Sequence, residues 1–467
     1  MLFSSILFLF ICLPCTLMIY YGLCRTRKWK NYFLLAVSLG FYGWGEPKYI
    51  ILLLVCIIGN YGFGRFVEQH SKRTKWIITS MLVFNLGILG IFKYLGFSVN
   101  VLNNVFHTSF NIPEIVLPIG ISFFTFQGIS YVIDIYRGKG KALKSVLDVG
   151  LYISFFPQLI AGPIVRYETI ASELQTRHEN MDDFSDGIIR FCEGLGKKVI
   201  LANNFALVAD KAFGLPQTEL SVVFAWLGAI SYMLQVYFDF SGYSDMAIGL
   251  GRMFGFHFCE NFNAPYTAKS ISDFWRKWHI SLGTWFRDYV YFPLGGSRVN
   301  KKSTLIRNLL IVWTLTGVWH GANWTFIVWG MYFGILIIIE KVWGMEKVLN
   351  KYPVLGHCYT LILVLIGWVF FRADSIGHAI SYLQVMFGQA GTVLLGSLGK
   401  LYVEENMILL IIGIIACLPL KKWWYAWGHP DSVGIKVIYR IGLGIILCIA
   451  VAYLVKGSYN PFIYFNF

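Results

Sequence analysis

Two histidines lie in aromatic segments of an otherwise apolar chain, and they are the residues best suited to chemistry. His279 lies in the segment Trp275 to Leu282, and His320 lies in the segment Gly317 to Trp324. Because an unperturbed imidazole has a pKa of about 6.5, its neutral form can accept a proton at physiological pH. The pattern favours proton transfer at these positions, while a hydrogen-bonded packing role is the alternative for any buried histidine.

The segment around His279 has the pattern of an amphipathic helix. From Ile271 to Tyr289, apolar residues recur with the spacing of one helical face, and polar residues occupy the other face. So broad a polar face does not suit a helix surrounded by lipid. The sequence predicts one helix at the membrane interface or dipping into it, with His279 on the apolar side and inside the protein.

The segment around His320, from Leu309 to Ile339, is long and apolar enough to span a bilayer. On a continuous helix Thr316, His320 and Asn323 would share one stripe, and a polar stripe on a spanning helix faces protein or water. Small or flat side chains flank His320, namely Gly317, Trp319, Gly321 and Trp324. They predict a close approach of another backbone or of a thin acyl chain along the wall of a passage.

The composition places these segments in a membrane protein. The chain has 467 residues, of which 57% are hydrophobic and 14% charged, whereas soluble domains carry about a quarter charged residues. Apolar runs of about 20 residues predict a polytopic protein of helices. The net charge of +14 is typical of basic cytoplasmic loops and does not indicate nucleic-acid binding. The nine cysteines are scattered, so we expect free thiols and no metal site.

Basic loops predict the orientation of the chain. The segments 25–30, 72–75 and 137–144 are rich in Lys and Arg and are expected in the cytoplasm, with the N-terminus outside. About eleven transmembrane or re-entrant segments result. The interruption at 43–47 predicts a helical hairpin, and the proline-containing segment 146–163 is interpreted as re-entrant.

A polar cluster lies at the end of the helix predicted from Leu220 to Phe240. Its members are Asp239, Ser241, Tyr243, Ser244 and Asp245. Two interpretations stay open, because such residues either cap a helix end or form a polar site within the membrane protein.

A series of short blocks is spread over most of the chain, and the combination is specific. The blocks are Pro118–Phe124, Gln158 with Gly162–Pro163, Asp239–Ala247, Asn261–Tyr266, Asp273–His279, Pro293–Gly296, Val318–His320 and Asn460–Phe465. Through them the chain resembles the membrane-bound O-acyltransferase family, and within it the bacterial type that acetylates alginate. The resemblance implies a single family domain over residues 1–467 with a catalytic core at about 115–345.

The resemblance also implies an architecture and an activity. Membrane helices are expected to ring a thinned centre, where a tunnel joins a cytoplasmic donor site to an outer acceptor funnel. An acyl group, most often acetyl, is expected to cross to an extracytoplasmic polysaccharide, commonly through a separate periplasmic or cell-surface acyltransferase. The resemblance places the invariant family histidine at His320 and the accompanying motif residue at His279.

Acyl transfer from a thioester to a hydroxyl needs a base and stabilisation of the tetrahedral oxyanion. We expect His320 to be the base, Asn323 or Thr316 to orient it or donate to the oxyanion, and His279 to position donor or base. The candidates for substrate or tunnel contacts are Thr316, Asn323, Trp278, Trp319, Asp239 and Asp245.

The acyl donor is expected to be acetyl-coenzyme A or an acyl carrier protein on the cytoplasmic side, with no bound cofactor or metal. Arg276 and Lys277 are the candidates for donor binding, in a basic group that also includes Arg287, Arg298, Lys301 and Lys302. Basic cytoplasmic loops explain the same charges without a donor. The sequence leaves open acetylation of peptidoglycan or another envelope glycan, a transporter, and a scaffold subunit of a polysaccharide export complex.

Overall fold

A computed structural model describes residues 2–70, 73–389, 391–420, 422–423, 433–457, 459–461 and 463. Every regular element in these ranges is helical, which confirms the all-α class. Lys72, in the second predicted cytoplasmic loop, lies outside the described residues, as do Phe462, Tyr464 and Phe465 of the closing block.

The chain forms two compact units. One comprises Met1–Phe191 and Tyr243–Cys259, and the other comprises Cys192–Gly242 and Glu260–Phe467. Two helices, α11 (Met181–Gly196) and α13 (Val222–Met253), contribute residues to both. Both histidines belong to the second unit.

The other helices of the first unit include a π-helix at Phe8–Cys12, α1 (Leu13–Gly22), α2 (Arg27–Gly45), α3 (Ile50–Gln69), α4 (Thr74–Leu89), a π-helix at Gly90–Tyr94, α5 (Leu95–Phe106), α6 (Ile121–Tyr136), α7 (Val146–Ser154), α8 (Phe156–Leu159), α9 (Tyr167–Ile170) and α10 (Glu173–Thr176). α2 ends at Gly45 and α3 begins at Ile50, which confirms the interruption predicted near 43–47. The buried break between α7 and α8 agrees with a segment packed inside protein.

The other helices of the second unit include a π-helix at Lys197–Ala202, α12 (Asn203–Phe213), α14 (Ile271–Lys277), α15 (Ile280–Phe286), a π-helix at Arg287–Tyr291, α16 (Lys302–His320), α17 (Trp324–Val342), α18 (Met345–Lys351), α19 (Pro353–Arg372), α20 (Ile376–Met386), α21 (Ser397–Ala416) and α22 (Val433–Val455). Aromatic and aliphatic side chains from α13, α14, α17 and α19 form much of its core.

Six stretches of described helix are long and apolar enough to cross a membrane. They are Ile50–Gln69, Thr74–Phe106, Val222–Met253, Trp324–Val342, Pro353–Arg372 and Val433–Val455. The protein is therefore a multi-pass membrane protein. The expectation of about eleven segments exceeds this number because several apolar stretches are short or broken helices, among them α7, α8 and Phe8–Gly22.

The polar cluster after Phe240 does not cap a helix end. The helix expected to stop at Phe240 continues as α13 to Met253, so the cluster lies within it and the capping interpretation is wrong. Asp239 is paired with Lys198 at 2.5 Å, and Asp245 with Arg190 at 2.7 Å. Because each acidic side chain has a basic partner, α13 can carry both carboxylates in its middle.

Candidate active site

The backbone breaks at His279, where the sequence pattern predicts a continuous helix. α14 ends at Lys277, Trp278 is extended, and His279 has a left-handed conformation with φ 44° before α15 begins at Ile280. The prediction of one helix from Ile271 to Tyr289 is wrong because the preceding loop provides other partners. The N–H of Ile280 donates to the carbonyl oxygen of Asn261 at 2.9 Å.

His279 is held by polar contacts on one side of its ring and by an aromatic contact on the other. The residue is 2% exposed, and its Nδ1 lies 3.1 Å from the side-chain oxygen of Asn261. The ring of Phe240 packs edge-on at 4.5 Å. Burial lowers the pKa of His279 well below its usual range, and His320 lowers it further. The ring is therefore neutral at physiological pH. The burial of His279 confirms the expectation that it lies inside the protein.

A buried carboxylate anchors the helix that leads to His279. Glu340 of α17 accepts the N–H groups of Ile271 at 2.6 Å and of Ser272 at 2.8 Å, at the start of α14. A carboxylate at a helix N-terminus satisfies free N–H groups and complements the helix dipole. This contact ties α14, which carries Trp275, to α17.

The segment around His320 is a helical hairpin and not one spanning helix. α16 ends at His320, and α17 begins at Trp324 after a turn, so the predicted helix from Leu309 to Ile339 is wrong. Asn323 caps α17 by accepting the N–H of Thr325 at 3.2 Å, and its NH₂ donates to the carbonyl of Asp374 at 3.0 Å. Asn323 therefore does not continue the stripe of His320.

The glycines of this hairpin allow the close approach that the sequence predicts. A Cβ at Gly317 would overlap the carbonyl oxygen of Phe326, and a Cβ at Gly330 would overlap that of Trp313. A Cβ at Gly321 would overlap the ring of Phe326. The two helices therefore pack with backbone against backbone.

Aromatic rings surround His320, which is 6% exposed. The centroid of its ring lies 4.9 Å from those of Trp319 and Trp329 and 5.2 Å from that of Phe371. The indole N–H of Trp329 is buried and has no hydrogen-bond partner among the described residues. A donor next to His320 is thus available to a ligand.

Two cavities meet the histidines. A cavity of about 350 Å³ is lined by His279, Trp278 and Thr316, together with residues of α14 to α17. A second space of about 10 Å³ is lined by His320, Trp329 and Phe240, and Trp278 is part of this lining as well. Trp278 therefore belongs to the walls of both spaces.

The larger cavity carries a different set of basic residues from the one expected. Arg276 lines it, but Lys277 is not among the described lining residues and pairs with Asp273 at 2.9 Å. Arg287 and Lys341 complete the basic lining. The described lining does not include Arg298, Lys301 or Lys302.

The remaining candidates have separate positions. Thr316 lines the larger cavity, and its hydroxyl donates to the carbonyl of Val312 at 2.8 Å. Trp319 packs against both histidines, with its centroid 6.2 Å from that of His279. Asp239 accepts the N–H of Ile463 at 3.0 Å, and Ile463 lines the space at His320. Asp245 belongs to the other unit.

Sequence reasoning missed several residues that shape the site. Asn261 lies in one of the blocks that carry the family resemblance, but its spacing from His279 in the sequence does not predict their contact. Trp329 and Phe371 lie on helices that read only as apolar spans. Lys341 reads as the charged end of such a span. Their grouping depends on the hairpin and on α19, which no local pattern specifies.

Comparison with known proteins identifies the family of this chain. Residues 141–371 match the family described as MBOAT, membrane-bound O-acyltransferase. The chain is 39% identical over 495 residues to the probable alginate O-acetylase AlgI of Pseudomonas putida KT2440, covering 100% of both chains. The chain belongs to the membrane-bound O-acyltransferase family. Its members are integral membrane enzymes, so this chain is an O-acyltransferase of the membrane.

Two further relatives of this O-acyltransferase carry other names. The peptidoglycan O-acetyltransferase of Helicobacter pylori 26695 is 34% identical over 523 residues, covering 100% of this chain and 98% of the relative. The teichoic acid D-alanyltransferase of Bacillus subtilis 168 is 31% identical over 259 residues, covering 53% of this chain and 65% of the relative. Family membership thus identifies an acyltransferase, and the acceptors in the names of these relatives differ.

Proposed function

We propose that this O-acyltransferase moves an acetyl group from a cytoplasmic thioester donor across the membrane for O-acetylation of an extracytoplasmic polysaccharide such as alginate. The observation that carries the proposal is the pair of buried histidines that line two spaces sharing Trp278, one of them a cavity of about 350 Å³. The proposed path is a tunnel through a ring of helices. The full-length similarity to a probable alginate O-acetylase supports the acceptor class.

The larger cavity is the proposed donor site. Its volume of about 350 Å³ is in the range of small-molecule sites, which begins at about 300 Å³. Arg276, Arg287 and Lys341 give it a basic lining suited to the phosphates of acetyl-coenzyme A or of a carrier-bound phosphopantetheine. Glu346 and Asp288 pair with the two arginines at 3.0 and 2.8 Å, so they moderate this charge.

The chemistry proposed at His320 is general-base catalysis. The imidazole of His320 takes the proton of the acceptor hydroxyl, while the hydroxyl oxygen forms a bond to the carbonyl carbon of the thioester. The tetrahedral oxyanion receives the indole N–H of Trp329, whose donor has no other partner among the described residues. The carbon–sulfur bond then breaks, and the proton on the imidazolium passes to the thiolate, leaving an ester and a free thiol.

The acceptor hydroxyl belongs to the glycan itself or to a partner acyltransferase in the periplasm or at the cell surface. Peptidoglycan is the second candidate polysaccharide, because a peptidoglycan O-acetyltransferase is 34% identical over the whole of this chain. Both acceptors present a sugar hydroxyl, so the same histidine chemistry serves either.

Proteoliposomes with labelled acetyl thioester outside and oligosaccharide inside test the proposal. We expect thiol release outside and label on mannuronate oligomers inside, with peptidoglycan fragments as the competing acceptor. Thiol release with label on neither glycan would indicate transfer through a partner. Unchanged thioester with both coenzyme A and acyl carrier protein, in a folded preparation, would contradict the proposed function.

A further inference from the structure

The side-chain oxygen of Asn261 is the centre of the turn that carries His279. It accepts the backbone N–H of Ser281 at 3.2 Å and the hydroxyl of Ser281 at 2.9 Å. It also lies 3.1 Å from Nδ1 of His279. Asn261, His279 and Ser281 are all buried, so these contacts do not compete with bulk water.

These contacts determine which nitrogen of His279 carries the proton. A backbone N–H can only donate, so the Asn261 atom that faces Ser281 must be the oxygen and not the NH₂ group. An oxygen can only accept, so Nδ1 of His279 must donate to it. A neutral imidazole with its proton on Nδ1 has its lone pair on Nε2.

The second nitrogen is left for a ligand. Nε2 of His279 is buried and has no hydrogen-bond partner among the described residues. A buried acceptor without a partner is unfavourable unless a bound group supplies a donor. His279 lines the cavity of about 350 Å³, which is the space where such a group would bind.

We propose that Asn261 is a positioning residue that holds His279 in the Nδ1–H tautomer, so that Nε2 accepts a hydrogen bond from an O–H or N–H of the bound substrate. This role separates His279 from oxyanion stabilisation, because a lone pair repels an oxyanion. The inference rests on the proposed acyl transfer for the identity of the substrate, but the tautomer itself does not depend on turnover.

The tautomer can be measured without activity. Protein with ¹⁵N-labelled histidine in nanodiscs should give a pyrrole-type signal for Nδ1 of His279 and a pyridine-type signal for Nε2, assigned by difference with His279→Asn. Asn261→Ala should remove this preference and give a mixture of tautomers. A pyridine-type Nδ1 in the wild-type protein would overturn the inference, even if Asn261→Ala fails to fold.

A titration of the labelled protein tests the same contact through the charge of residue 261. Asn261→Asp keeps an accepting oxygen in place and adds a negative charge beside the ring, which should raise the pKa of His279. The pH at which the ¹⁵N signals of His279 show protonation should therefore move up by about 1–3 units. Asn263→Asp adds the same charge at an exposed position of the same loop and should leave this pH in place.

A failure of the positioning role of Asn261 can be distinguished from a failure of the proposed acyl transfer. A purely structural Asn261 would leave the tautomer of His279 unchanged in a folded Asn261→Ala variant, and an unmoved titration of His279 in Asn261→Asp would contradict the contact. An inactive wild-type protein with the Nδ1–H tautomer would contradict the proposed function and leave the positioning role supported by the nitrogen signals.

Discussion

The surroundings of the two histidines differ in how they hold the ring and in how much space they leave. His279 lies at a break in the backbone, is oriented through Asn261, and lines a cavity of about 350 Å³. His320 ends a regular helix, packs among aromatic rings, and adjoins only about 10 Å³, the space of about one water molecule. The difference points to a division of labour, with donor binding beside His279 and bond-making beside His320.

If the oxyanion forms in the small space at His320, loss of the indole N–H of Trp329 should lower kcat more than any other change except loss of His320 itself. Trp329→Phe removes that donor and keeps an aromatic ring. We expect kcat to fall by about 10²–10³-fold, the usual cost of losing one oxyanion donor. Trp343→Phe, at an exposed position, is the matched control and should retain wild-type kcat. Equal kcat values for the two variants would remove Trp329 from the mechanism.

A substitution that spares the backbone at His279 separates its ring from its role in the fold. Asn tolerates the left-handed conformation better than most residues, so His279→Asn should fold. Loss of the Nε2 acceptor should lower kcat/KM by about 10²-fold through misplaced substrate. Steady-state kinetics on the purified variant check this, with size exclusion as the control for folding. Wild-type kinetics would assign His279 a packing role only.

The proposed donor site beside His279 predicts a small change in KM for the thioester, and this change should differ between variants of Arg276 and Lys277. Arg276 lines the larger cavity and Lys277 is paired with Asp273. Arg276→Gln should raise KM for the thioester by about 5-fold, as expected for an exposed charge worth about 1 kcal/mol. Lys277→Gln should change it by less than about 2-fold. The reverse order would place the donor phosphates elsewhere.

The sequence was sufficient for the class of the fold and for the position of His279 inside the protein. Apolar runs and few charges predicted a helical membrane protein, and small glycines predicted the close packing at Gly317. These features depend on local composition, which a sequence shows directly. The roles of the histidines and the tunnel remain predictions.

The geometry around the histidines depends on distant contacts, and there the sequence patterns failed. The break at His279 follows from the loop that contains Asn261, since a helical pattern alone gives no reason for a left-handed residue. The middle of α13 carries Asp239 because Lys198 of another helix neutralises it. The turn after His320 moves Asn323 to the cap of α17. Tertiary partners outweighed local periodicity in each case.

The most direct test of the division of labour is to measure donor binding and thiol release on one preparation of His320→Ala in nanodiscs. The exposed His178→Ala is the control. The account predicts that His320→Ala binds the acetyl thioester with the wild-type Kd and releases thiol at least about 10²-fold more slowly, the lower range for loss of a general base. Release at the wild-type rate would contradict catalysis by His320, and loss of binding with normal folding would contradict the separation of the two sites.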